Sequence, residues 1–301
     1  MTREDKMIVS MPKAFIGFLG ALALCATPAL AQSQQNGLQG IPADAVGGTL
    51  QRGVPLSQLP RYAGHGKPGG GGVKNLIDHG GTILPATTIY YIWWGNYPNG
   101  WTSDAPAGLA ALASDLQGSN FQKDIFPQYM RGSKMSWAFG SSAYDSSTPP
   151  SHGPKTSTIM NEVTGQIAAG KLPLDTNAIY VVLTSNFPGG VNYCAWHSWG
   201  SYNGTEIQFA YMPNTTGVSG CNDPQFTCNS YSAGTDSIAN VLSHELSEAI
   251  TDADGTAWYD SSGSEIGDKC AWQFSSCVNL TNSSWQLQEE WSNSISGCLQ
   301  Q

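Results

Sequence analysis

The chain has 301 residues, 40% of them hydrophobic and only 12% charged, with a formal net charge of -9. So acidic a protein is a poor partner for nucleic acid or an anionic membrane surface. Its length suits one large domain or two small ones, and past the N-terminal run no apolar stretch is long enough to span a bilayer.

Residues 1–31 read as a secretory signal. Arg3, Lys6 and Lys13 supply positive charge, residues 14–25 form an apolar core, and Ala29-Leu30-Ala31 offers a small-x-small cleavage site. Leu24 before Cys25 argues against a lipoprotein box, which needs a small residue there. Cleavage predicts a secreted protein, extracellular or periplasmic, with no membrane attachment. Residues 32–75 are rich in Gln and Gly, end in Gly69-Gly70-Gly71-Gly72 and lack periodicity, so they read as a flexible leader with His65 solvated. The globular domain is expected over 76–301.

Within it, 82–94 is β-branched and aromatic and predicts a strand, with Pro85 near its start. Residues 104–117 predict a helix, 120–130 a short helix interrupted near Pro127, and 134–144 a strand. Residues 157–169 predict a helix, with Ile159, Met160, Val163 and Ile167 aligned. Residues 177–184 form the clearest buried strand, and 206–212 predict another. Alternating strands and helices imply an α/β or α+β fold, a single domain around a central mixed sheet.

The next helix carries the chemistry. Asp236 is suited to cap it. Ile238, Val241, Leu242, Ala249 and Ile250 form its buried stripe, and 251–255 form a stop and turn. His244 and Glu248 lie four residues apart on one face, and Glu245 follows the histidine. This resembles the zinc-peptidase helix, in which two ligands one turn apart hold the metal and the adjacent Glu takes a proton from metal-bound water. Here the second ligand is Glu248, so the pattern is His-Glu-x-x-Glu, and its added negative charge makes the metal a weaker Lewis acid. Glu265 and Asp268 are the candidates for further ligands, and His197 is a distant alternative. Zinc is the expected metal, with calcium the alternative for so oxygen-rich a set. An EF-hand starting at Asp252 fails, because its twelfth position is Gly263 rather than Glu.

Other readings compete. Glu245 with Glu265 could form a glycosidase pair across an open groove. Tyr90, Tyr91, Trp93, Trp94, Tyr97 and Trp101 could stack on sugars or fill the core. The Gly-x-Ser-x-Gly elbow of α/β-hydrolases is absent. Six cysteines follow the signal, at 194, 221, 228, 270, 277 and 298, an even count that suggests disulfides in an exported chain. Cys221 and Cys228 are close enough to close a local loop, and the other four allow three pairings.

One ordered set of motifs resembles the phosphate-induced/EXORDIUM family. It comprises Asp78-His79-Gly80-Gly81-Thr82-Ile83-Leu84, Ile92-Trp93-Trp94-Gly95, Cys194-Ala195-Trp196-His197, Cys221 with Cys228, and His244-Glu245-Leu246-Ser247-Glu248. It continues through Glu265-Ile266-Gly267-Asp268-Lys269-Cys270 to Trp291-Ser292-Asn293 with Cys298, covering about residues 76 to 298. The resemblance implies a secreted protein linked to growth and cell expansion, without a settled biochemical activity. Plant members carry a second cysteine just before the Cys-x-x-His segment. Here that region is Pro188-Gly189-Gly190-Val191, and by comparison Cys277 takes its place as partner of Cys194, with Cys270 tying the site to the C-terminus.

Two functions are therefore expected. The first is an exported metal-dependent hydrolase, peptidase-like, with Glu245 as general base. The second is a non-catalytic cell-wall or growth-related protein with a structural ion site or a glycan-binding surface. A peptide or a cell-wall polymer is the expected partner.

Overall fold

The computed structural model describes residues 38–55, 58 and 74–300. The expected signal over 1–31, His65 and the Gly-rich tract lie outside the described residues. Among the described residues, no helix is long and apolar enough to cross a membrane.

After a short β1 (Ile77–Asp78), the core sheet is built from β2 (Ala86–Trp94), β3 (Ser136–Asp145), β4 (Ala178–Thr184), β5 (Trp196–Tyr202) and β6 (Thr205–Pro213). Their order is β3-β2-β4-β6-β5; the first four run parallel and β5 lies antiparallel on one edge. Parallel neighbours need crossovers. Helix α1 (Ala105–Asp115) lies between β2 and β3, and α2 (Thr156–Ala168) lies between β3 and β4. A third helix, α3 (Ala233–Thr251), follows β6. Every residue of β4 is buried, as expected of a central strand covered on both faces.

Side-chain alternation divides the core in two. Ile89, Tyr91, Trp93, Val181, Leu183, Ala210 and Met212 pack with α1 and α3. Tyr90, Ile92, Trp94, Tyr180, Val182, Phe209 and Tyr211 pack with α2 on the opposite face. The aromatic run of β2 is therefore core: Tyr91 is fully buried, and Trp93, Trp94 and Trp101 are nearly so.

The sequence expectations hold for the central elements and shift at the edges. The strand expected from residue 82 starts at Ala86, because residues 82–84 bind the end of α3 instead. Leu84 N–H donates to the Ile250 carbonyl at 2.9 Å, and Ala253 N–H to the Thr82 carbonyl at 3.1 Å. Strand β5 was not expected. It forms a hairpin with β6 through Asn203 and Gly204, both at positive φ, as a tight hairpin turn requires. Ser232, rather than Asp236, caps α3, accepting from Thr235 N–H at 3.4 Å. Asp104 secures that cap, accepting Ser232 N–H at 2.6 Å and the Thr235 hydroxyl at 2.6 Å. Nor is α3 amphipathic: every residue but Ala233 and Asp236 is buried, with the sheet, α1 and the C-terminal segments around it.

The leader reading fails for residues 38–55. This segment runs along the sheet edge beside β5, with Asn192 N–H donating to the Gln39 carbonyl, Cys194 N–H to Thr49, His197 N–H to Gly47 and Val46 N–H to His197, at 2.7–3.2 Å. Ile41, Ala45 and Leu50 are buried in the core beneath it. An edge strand leaves backbone donors and acceptors unpaired, and the strap satisfies those of His197 and of the segment leading into β5. Few apolar residues are needed when the backbone supplies the bonding.

The disulfides are Cys194–Cys221, Cys228–Cys277 and Cys270–Cys298. Neither the local Cys221–Cys228 loop nor the Cys194–Cys277 pair forms. Cys221 is buried against the strand-leading Cys194, whereas Cys228 lies at the far end of a surface segment and reaches the C-terminal region. Only Cys270–Cys298 matches the expected tie to the C-terminus. The three bridges staple the C-terminal part of the domain and fit a chain folded in an oxidising compartment.

Candidate metal centre

Four separate parts of the chain deliver the polar groups of one buried cluster. The helical repeat of α3 places His244, Glu245 and Glu248 on its sheet-facing side. Strand alternation supplies His197: it pairs across from Ala210, whose side chain belongs to the α3 face, so the His197 ring points at the helix. The loop after α3 returns through Glu265 and the short helical turn Asp268–Cys270. A fourth element, β7 (Glu290–Ser292), adds Glu290.

His197 Nδ1 lies 3.1 Å from Glu245 Oε2 and 3.6 Å from Glu248 Oε2. Its other nitrogen, Nε2, lies 3.8 Å from Glu265 Oε1. His244 Nε2 lies 3.0 Å from Glu248 Oε1 and 3.9 Å from Asp268 Oδ1. Two triads result, His197/Glu245/Glu248 and His244/Glu248/Asp268, each with ligand atoms within 4.8 Å of one another. They share Glu248.

Hydrogen bonds fix the carboxylates. Glu245 Oε1 accepts the Thr49 N–H at 2.9 Å and the Thr49 hydroxyl at 2.7 Å. Asp268 N–H donates to Glu248 Oε1 at 3.0 Å, and Glu265 N–H donates to Asp268 Oδ2 at 3.0 Å. Backbone approaches are equally close. A Cβ on Gly47 would stand 2.0 Å from Glu265 Oε2, and one on Gly267 would stand 2.8 Å from His244 Nδ1. Only glycine lets the strap and the loop come this near the cluster. The acids at the helix stop do something else: Asp252 accepts Ala257 N–H at 2.6 Å, and Asp254 accepts from Thr82 and Thr256, so both shape the turn.

No group of the cluster is more than 4% exposed. Burial pushes the Glu248 carboxyl well above its usual range, with the Asp268, Glu245 and Glu290 charges adding to the effect. Burial likewise raises Asp268, against the pull of His244, and raises Glu290 to about 8. Ser247 lies beside Glu290 but gives its proton to the Ser243 carbonyl at 2.8 Å. For Glu245 burial also raises the pKa, but the His197 hydrogen bond, the two histidine charges and Thr49 outweigh it and leave the pKa lowered. Glu248 Oε2 and both nitrogens of His244 are buried without a hydrogen-bond partner. Unpaired buried polar atoms cost about 1–3 kcal/mol each, so a ligand that engages them is favoured.

Among the residues expected at the site, His244, Glu248 and Asp268 lie together, while Glu265 sits on the His197 side. The glycosidase expectation is not met: Glu245 and Glu265 are both fully buried, and the His197 ring stands between them. The sequence reading missed Gly47, Thr49 and Glu290. Nothing local marks the first two, and Glu290 carries only the weak signal of an acid within an aromatic segment.

Fold and cluster together define a disulfide-bonded, three-layer α/β domain with a buried histidine–carboxylate centre. The chain is similar to Protein EXORDIUM-like 5 of Arabidopsis thaliana, 25% identical over 251 residues, which cover 66% of this chain and 65% of that protein. The match thus spans just under two thirds of the curated relative, and it supports the EXORDIUM-like resemblance. No family model and no solved structure matches the chain.

Proposed function

We propose that this is an exported EXORDIUM-like protein, growth- or wall-related, that acts without catalysis and holds a divalent cation, zinc first, at His244, Glu248 and Asp268. The observation that carries this reading is the sealing of the centre by the strap. The strap backbone lies on the cluster at Gly47, and Thr49 occupies Glu245 Oε1 with two hydrogen bonds. Catalysis needs a substrate within bonding reach of the general base; a structural cation needs only its ligands. The cation would cross-link α3 to the returning loop and engage one of the two His244 nitrogens that lack a hydrogen-bond partner. The similarity to EXORDIUM-like 5 supports the same side, and a cell-wall polymer is the partner class we assign.

Elemental analysis of the purified protein tests it. A stoichiometric divalent metal is expected, with a lowered Tm after chelation and metal loss in His244→Ala. Metal-free protein with no Tm response to zinc would overturn it. A hydrolase reading retains one observation, the one-turn pairing of His244 with Glu248 beside Glu245. Peptide turnover abolished by Glu245→Gln with metal retained would establish it instead.

A further inference from the structure

We propose that the centre is binuclear: Glu248 bridges two divalent cations, one held by His244, Glu248 and Asp268, the other by His197, Glu245 and Glu248. This rests on the metal reading above and extends it to a second ion.

The first argument is the direction of the Glu248 oxygens. Oε1 faces His244 Nε2 at 3.0 Å, and Oε2 faces His197 Nδ1 at 3.6 Å. Two imidazoles thus meet opposite oxygens of one carboxylate, the arrangement of a bridging ligand between ions roughly 3.5–4 Å apart. Bonds of about 2.0–2.1 Å in a tetrahedral site put neighbouring ligand atoms about 3.3 Å apart. In the His244 triad the spacings from the imidazole are 3.0 and 3.9 Å, and in the His197 triad 3.1 and 3.6 Å. The His197 spacings lie closer to that edge than the His244 spacings, and both are compatible with ligation.

Charge is the second argument. The two triads use three buried carboxylates, Glu245, Glu248 and Asp268, and among the described residues no Lys or Arg forms an ion pair with any of them. One dication leaves this set net negative in a medium where uncompensated charge is costly. The cluster holds two more carboxyl groups, Glu265 beside His197 and Glu290, so its acids outnumber the charge of one dication. Unpaired atoms supply the third argument. Glu248 Oε2 and His244 Nε2 are buried, lack hydrogen-bond partners and point into different halves of the cluster.

The division also gives Glu265 a role. If His197 ligates through Nδ1, its Nε2 faces Glu265 Oε1 at 3.8 Å. Shortened to hydrogen-bond length, that contact would make Glu265 the carboxylate that orients a metal-bound imidazole. Glu265 is then a positioning residue for the second ion rather than a ligand of the first. Imidazole and carboxylate donors together select zinc or a similar first-row dication.

The test is stoichiometry on the full mature chain, stripped with chelator and titrated with zinc, read by calorimetry and elemental analysis. Two ions per chain are expected in wild type, falling to one in His197→Ala and to one in His244→Ala. One ion in wild type, lost in His244→Ala and kept in His197→Ala, overturns the second site and leaves the single-ion reading standing. No ion in wild type overturns both, and two ions still bound in His197→Ala overturn the ligand assignment. Should the variants fail to fold, wild type loaded with cobalt(II) decides the matter. Carboxylate-bridged cobalt pairs show magnetic coupling by electron paramagnetic resonance, and isolated signals alone would rule out the bridge.

Discussion

His197 Nδ1 lies 3.1 Å from Glu245 Oε2, across 48 residues of sequence. The contact joins the edge strand of the sheet to the central helix and places the imidazole among carboxylates. It requires β5 to pair in a register that turns His197 toward the helix, because a slip of one residue would turn it to the other face. The strap enters the same contact from outside, through the Thr49 bonds to Glu245. Sheet register, helix and strap are thereby coupled at one pair of side chains.

Thr49→Val tests that coupling. The variant keeps the backbone donor to Glu245 but loses the hydroxyl, one of the two bonds to Oε1. A bond to a buried charged acceptor contributes about 1.5–3 kcal/mol. We expect a Tm lower by roughly 2–4 °C for each kcal/mol lost, followed by circular dichroism. An unchanged melting curve would mean that the strap does not support the centre.

Gly47→Ala examines the same strap sterically. The added methyl would meet Glu265 Oε2 at 2.0 Å and His197 Cε1 at 2.9 Å, so the strap must lift. Overpacking of this kind costs about 1–3 kcal/mol. Limited proteolysis should cut the strap faster in the variant, and equal cutting rates would contradict the close approach.

The cystine map is a third expectation. Peptide mapping of non-reduced protein should recover Cys194–Cys221, Cys228–Cys277 and Cys270–Cys298. A recovered Cys221–Cys228 peptide would refute the pairing. Replacing one bridge by serines should cost about 2–4 kcal/mol.

Glu162 on α2, away from the centre, sets a pH dependence. Burial raises its carboxyl to about 7 from the ordinary 4.5, Gln166 opposes this, and the charge of Asp145 adds to it. The folded state therefore holds a proton that the unfolded chain releases. The associated stability is complete below about 4.5 and is lost as pH rises through 7. Glu162→Gln removes this component, so wild type should lose stability relative to the variant between those pH values in denaturant titrations. A constant difference across that range would contradict the assignment.

Much of the centre is local and therefore readable. His244 and Glu248 fall on one face by the helical repeat alone, and Asp268 returns to them after a single loop. The hydrophobic run of β4 likewise announces a central strand. By contrast, the Gly/Gln composition of 38–55 reads as flexible, because its order comes from backbone pairing with an edge that sequence does not display. Proximity in sequence also misled the cystine reading. Cys221 and Cys228 are neighbours in the chain, but their partners are set by which elements pack together.

Periodicity and residue type, both short-range properties, determine that this chain has alternating strands and helices, and that one helix carries a histidine and a carboxylate one turn apart. Which other groups meet that pair is a long-range matter. Hydrogen-bond register turns His197 inward, edge pairing seats Gly47 and Thr49, and the C-terminal strand inserts Glu290. These contacts form only when segments up to about 200 positions apart are brought together by core burial, as with Thr49 and Glu245 at a separation of 196. The helix is encoded in its own residues; the centre is encoded in the packing of the whole domain.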